Sequence, residues 1–246
     1  MRENQGWEWP FLLAAVFSLV GFSVSCRDRI FDNPFDPQAG KQVLEIVNTI
    51  FSPAITPAGL AWDGSTLWNV DSLNDLLFSL NRVSGAEVRL LESPIPQTTG
   101  IAYDGQDLWL CSSTMVDVLK INLLNGETQK RLNLQRGSFT AVEYAQGFLW
   151  IADSQSNEVI QVDPISAEIV SSISNPGTRI TGLTFDGLNL WIADAATLTI
   201  YRLSIGGEML QSYLSPGQSP RGLAYDGRYL WNVDGDGKIY QLRVRD

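Results

Sequence analysis

The chain has 246 residues, 44% hydrophobic and 18% charged, which is enough apolar side chain for one sizeable core and too little charge for a disordered chain. Its formal charge of −10 comes without a basic stripe, so the counterion release that drives nucleic-acid binding has no source and no nucleic-acid partner is expected. The absence of histidine excludes Ser-His-Asp chemistry and histidine-ligated zinc.

In chain order, residues 1–25 read as an export signal. Residues 11–22 form an apolar run too short to span a bilayer comfortably, and small residues follow it. The sequence Ser23-Val24-Ser25-Cys26 resembles the cleavage box of bacterial lipoproteins, in which the cysteine becomes the lipidated first residue. That resemblance implies a membrane-anchored protein of the cell envelope, facing the periplasm or the exterior. Simple secretion and an uncleaved signal anchor are the alternatives. Residues 26–41 are polar and interrupted by Pro34 and Pro37, as suits a tether leading to a domain over residues 42–246.

From residue 59 onward the chain is a five-fold repeat, with copies starting near 59, 100, 141, 182 and 222. Each copy opens on a small residue, places an aromatic three residues later (Trp62, Tyr103, Tyr144, Phe185, Tyr225) and reaches a Leu-Trp pair after a turn. The tryptophans Trp68, Trp109, Trp150, Trp191 and Trp231 are spaced 41, 41, 41 and 40 residues apart, the period of an architecture whose units bury their faces against one another. Asp63-Gly64, Asp104-Gly105, Asp186-Gly187 and Asp226-Gly227 mark the hairpin between the first two strands of a copy. Two more runs follow in the complete copies, such as 76–81 and 87–91. The fold class is therefore all-β, a five-bladed β-propeller of four-stranded antiparallel blades.

The fifth copy ends after three strands, whereas residues 42–51 form a strand with no blade of its own. The spacing of Ser52-Pro53 and Pro57 before Gly59 matches that of Ser215-Pro216 and Pro220 before Gly222. The N-terminal strand is thus expected to complete the fifth blade and leave no open edge. Cys111 falls in a column filled elsewhere by Val70, Ala152, Ala193 and Val233, which predicts a buried small side chain and no disulfide.

Two polar patterns could carry chemistry. Asp71, Asp153, Asp194 and Asp234, with Ser112 in the second copy, end the second strand of each repeat. They could ring a hard cation, but repetition in nearly every blade favours turn formers whose carboxylates accept backbone N–H bonds. The other pattern is an asymmetry: the third copy lacks the Asp-Gly turn and carries Glu143 where the others have Ala61, Ala102, Thr184 and Ala224. On an innermost strand this carboxylate is expected near the channel. The loops at one end of the ring gather Thr140, Thr181, Arg179, Arg221, Gln155 and Asn157, a polar mouth of the kind that binds ligands.

Glu143-Tyr144, Gly147, Leu149-Trp150, Asn157, Ile160 and Asp163-Pro164 resemble one blade of plant-type glutaminyl-peptide cyclotransferases. The Gly-Leu-Ala-x-Asp-Gly turns resemble those of NHL-repeat and streptogramin-lyase-like propellers. The first resemblance implies a metal-free five-bladed propeller in which Glu143 shuttles a proton as glutaminyl peptides become pyroglutamyl ones. The chain departs from that family just before the first-strand glycines, where Ala58, Thr99, Thr140, Thr181 and Arg221 stand instead of an acidic residue. It also has Asn232-Val233-Asp234-Gly235 in place of a Thr-Gly-Lys segment.

Because no complete catalytic set is visible, the favoured reading is a monomeric module that binds a peptide, protein or glycan at the open end, with no cofactor or metal. A cyclotransferase-like enzyme with Glu143 as the catalytic group is the alternative, and a purely structural envelope protein is the third.

Overall fold

Five sheets, each built on four antiparallel strands, make up the computed structural model, which describes residues 41–244. β1 (Gln42–Val43) and β2 (Glu45–Phe51) come first. Blade 1 holds β3 (Pro57–Trp62), β4 (Leu67–Asp71), β5 (Leu76–Leu80) and β6 (Glu87–Glu92). Blade 2 holds β7 (Thr98–Tyr103), β8 (Leu108–Ser112), β9 (Asp117–Ile121) and β10 (Thr128–Asn133). Blade 3 holds β11 (Phe139–Ala145), β12 (Phe148–Asp153), β13 (Glu158–Val162) and β14 (Ile169–Ser174). Blade 4 holds β15 (Ile180–Phe185), β16 (Asn189–Asp194), β17 (Thr199–Ser204) and β18 (Met209–Leu214). β19 (Pro220–Tyr225), β20 (Leu230–Asp234) and β21 (Lys238–Arg243) supply three strands of blade 5, and β2 supplies the fourth. The strands of a blade are lettered a to d from the axis outward. The a strands β3, β7, β11, β15 and β19 pack each against the next, and β19 against β3, so the ring is closed.

The core lies between blades, which is why the b strands are buried on both faces. All five residues of β4, β8 and β20 are buried. A fully buried leucine such as Leu67 contributes roughly 1.5–3 kcal/mol. The opening glycine of each repeat follows from how closely neighbouring a strands approach. A Cβ on Gly100 would stand 2.6 Å from Cys111 Sγ and 2.8 Å from Ala141 Cα, and one on Gly182 only 2.2 Å from the Arg221 carbonyl oxygen. Only blade 3 departs, with Ala141 at this level.

Closure occurs as the repeat count predicts, with one difference. β2 runs antiparallel to β21, Glu45 opposite Arg243 and Phe51 opposite Lys238. The strand predicted over 42–51 is divided, because Gln42 and Val43 lie parallel to Tyr213 and Leu214 at the outer edge of blade 4. Between the two segments Leu44, 5% exposed, enters the core shared by blades 4 and 5 with Trp191, Tyr213 and Leu242. Burying that side chain carries the chain from one blade edge to the next. Cys111 is buried, with no cysteine partner among the described residues, and burial pushes its thiol up to about 12.

Candidate functional site

The aspartates that end the b strands hold the loops at one end of the ring. Asp71 accepts backbone N–H bonds from Ile55 and Thr56 in the d-to-a loop before it and from Leu73 in the b-to-c loop after it. Asp194 does the same with Thr178 and Arg179 on one side and Ala196 and Thr197 on the other. Asp153 takes Ser138 and Gln155, and Asp234 takes Ser219. Burial alone would raise the Asp194 carboxyl, but N–H donation from Arg179 and Thr197 with the Asn175 amide and Thr197 hydroxyl holds it below its ordinary value. The turn-former reading accounts for this column, and the carboxylates brace the loops on both sides. Among the described residues no group of three or more Cys, Asp or Glu converges as metal ligands would.

At the opposite end, the Asp-Gly turns do more than the spacing indicates. The indole N–H of the b-strand tryptophan donates to the turn aspartate five residues before it: Trp68 to Asp63 and Trp109 to Asp104 at 2.8 Å, Trp191 to Asp186 at 2.7 Å and Trp231 to Asp226 at 3.0 Å. The fixed five-residue interval was the available sign of this bond. Blade 3 has Ala145 at that position, with a tighter turn through Gln146 (φ 54°) and Gly147 (φ 84°), and the buried Trp150 indole nitrogen has no partner.

Glu143 stands opposite Trp150 across the a–b pairing and therefore projects from the same face of the sheet. That face packs on blade 4, whose Thr184 hydroxyl hydrogen-bonds to Glu143. Glu143 is half-buried by surface area, yet protein atoms surround it densely, and this desolvation pushes its carboxyl up to about 8 against the opposing effect of Thr184. Among the described residues no cation compensates it: Arg179 instead donates to the Ala195 carbonyl at 3.1 Å.

The d-to-a loops surround the channel mouth, a cavity of about 70 Å³ lined by Ala58, Thr99, Thr140, Thr181 and Arg221, one residue from each blade. One residue deeper, among Gly59, Gly100, Ala141, Val142, Gly182 and their neighbours, the channel has no room for a water molecule. Thr99 also lines a cleft of about 240 Å³ between blades 1 and 2, together with Thr56, Ser72, Leu73, Gln97 and Ser113.

The structure thus brings together Thr140, Thr181 and Arg221 of the candidates named from sequence and separates the others from them. Glu143 lies beyond the constriction, nearer the a–b turns. Arg179 and Gln155 line neither cavity. Asn157 holds a turn, with φ 58°, donating to the Gly177 carbonyl and accepting from the Asn175 amide. Cys26 lies outside the described residues. Sequence reasoning missed Thr56 and Gln97, whose place in the cleft depends on how two blades meet.

In sequence, no protein-family model and no curated protein matches the chain. Among solved structures, glutaminyl cyclase of Myxococcus xanthus superposes with a TM-score of 0.72 at 14% identity, covering 84% of this chain and 99% of that one. Virginiamycin B lyase of Staphylococcus aureus, selenomethionine-substituted or catalytically inactive with Quinupristin, gives a TM-score of 0.49 at 18% identity, over 77% of this chain and 66% of that one. The likeness to the cyclase shows the fold.

Proposed function

We infer that the protein is a lipid-anchored binding module of the cell envelope, which takes a peptide, protein or glycan segment at the end of the ring where the d-to-a loops open. The observation that carries this reading is the neighbouring mouth and cleft, which share Thr99 and are lined by hydroxyls, an amide and one guanidinium beside Ala58 and Leu73. Neither lining includes an acid or base suited to proton transfer near neutrality. Filling the cleft tests it: full chain should retain members of a short-peptide or oligosaccharide library, and Ser113→Trp should release them without lowering the melting temperature. Retention that survives this variant would place binding elsewhere. Anchoring rests on Ser23-Val24-Ser25-Cys26 and is tested by globomycin, which should accumulate an uncleaved precursor, and by Cys26→Ser, which should lose the anchor.

A second reading, a glutaminyl-peptide cyclotransferase with Glu143 as proton shuttle, is favoured by one feature: a carboxyl raised to about 8 can exchange its proton near neutral pH. Incubating the full chain with glutaminyl peptides and measuring pyroglutamate by mass loss distinguishes the two. Turnover abolished by Glu143→Gln would establish the enzyme.

A further inference from the structure

We propose that the channel mouth captures the C-terminal carboxylate of a peptide, whose preceding residues lie along the cleft between blades 1 and 2. The inference rests on the binding-module reading and specifies its ligand. Five buried side-chain atoms among the described residues lack a hydrogen-bond partner, and two of them, Arg221 Nε and Thr140 Oγ1, belong to residues lining the mouth. The other two mouth hydroxyls are already committed as donors: Thr99 to the Phe139 carbonyl at 2.7 Å and Thr181 to the Pro220 carbonyl at 2.8 Å. Each clips one blade to the next.

Both atoms are enclosed by protein, and among the described residues Arg221 pairs with no carboxylate, so the mouth is lined by a guanidinium residue without an ionic partner. The complementary ligand is an acceptor-only group with negative charge, and a carboxylate matches a guanidinium in both charge and geometry. Among the described residues no aspartate or glutamate lines the mouth or the cleft to compete for it.

Shape and lining select the source of the carboxylate. At about 70 Å³, closed beneath by the packed a strands, the mouth admits a group about the size of two waters, which suits a chain terminus and excludes a sugar ring. The cleft that shares Thr99 with it presents Thr56, Ser72, Gln97 and Ser113, side chains able to pair with the N–H and C=O groups of an extended peptide. Neither cavity has an aromatic platform on which a sugar would stack.

The test offers the full chain a tetrapeptide mixture randomised at all positions, once with free C-terminal acids and once as C-terminal amides, with methyl glucuronide as a sugar-acid arm; bound species are read by mass spectrometry. Free acids should be retained roughly tenfold or more above amides, the scale of a charge-assisted bond. Arg221→Gln should abolish that preference with an unchanged melting temperature, and Thr140→Ser should keep it. Equal retention of acids and amides, both displaced by Ser113→Trp, would overturn carboxylate capture while leaving the binding-module reading intact. Preference for methyl glucuronide would overturn the peptide assignment. Retention of nothing in any arm would overturn both.

Discussion

Trp191 donates its indole N–H to Asp186 at 2.7 Å, five residues back in the turn that precedes its strand, and Trp150, its counterpart in blade 3, donates to nothing. Four blades thus tie a core tryptophan to their own hairpin, whereas blade 3 buries the same ring without that bond. Trp191→Phe should cost on the order of 1–2 kcal/mol more than Trp150→Phe, since only the first substitution removes a hydrogen bond. Thermal or denaturant melts of the two variants measure the difference; equal losses would contradict it.

Glu143 makes the stability of the protein depend on pH in the opposite sense to most carboxylates. Its folded-state value of about 8 lies above the ordinary 4.5. The penalty for ionising it is therefore absent below about 4.5, grows as pH rises and is complete above about 8. Glu143→Gln should gain on the parent between pH 5 and pH 8, by roughly a few kcal/mol at most. A deficit of the same size at both pH values would mean that the carboxylate is a paired structural element.

Asp194 acts the other way. Its folded-state value is held below the ordinary 3.8 by the N–H groups of two loops, so the stability it contributes is present above that value and is lost as pH falls through the lowered one. Asp194→Ala should cost about 1–3 kcal/mol at neutral pH, and the deficit should shrink in acid. Both carboxylate oxygens already accept hydrogen bonds, so added calcium should leave the melt of parent and variant unchanged. A calcium-dependent rise in the parent, absent from Asp194→Ala, would make the column a cation site.

The architecture was legible because its causes are local and repeated. A tryptophan every 40 or 41 residues, a glycine where inner strands touch and an Asp-Gly turn are each visible in one copy and confirmed by the next. The closing strand could be read from a missing one. The division at Leu44 could not, because it depends on the core between blades 4 and 5. The mouth was only partly legible: Thr99, Thr140 and Thr181 are equivalent in sequence, and only the contacts between blades show that two are used as clips and one is left free. The depth of Glu143 relative to Arg221 likewise follows from the close packing around Ala141 and Gly182, which the sequence hints at but does not measure.

Closure by β2 predicts that the fifth blade depends on the N-terminus. Removing residues 42–51 would strip β21 of its outer partner and take Leu44 and Ile50 from two inter-blade cores. The truncated chain should melt at lower temperature and less cooperatively, with early hydrogen exchange in β20 and β21. A truncated chain that melts like the parent would refute the closure.

The most direct test of where this propeller works is a calorimetric titration of the tightest peptide retained by the full chain into the parent, Arg221→Gln and Glu143→Gln. Binding at the mouth predicts that Arg221→Gln weakens affinity tenfold or more while Glu143→Gln leaves it unchanged. Loss of affinity in Glu143→Gln with full affinity in Arg221→Gln would contradict the account and move the site to the far side of the constriction.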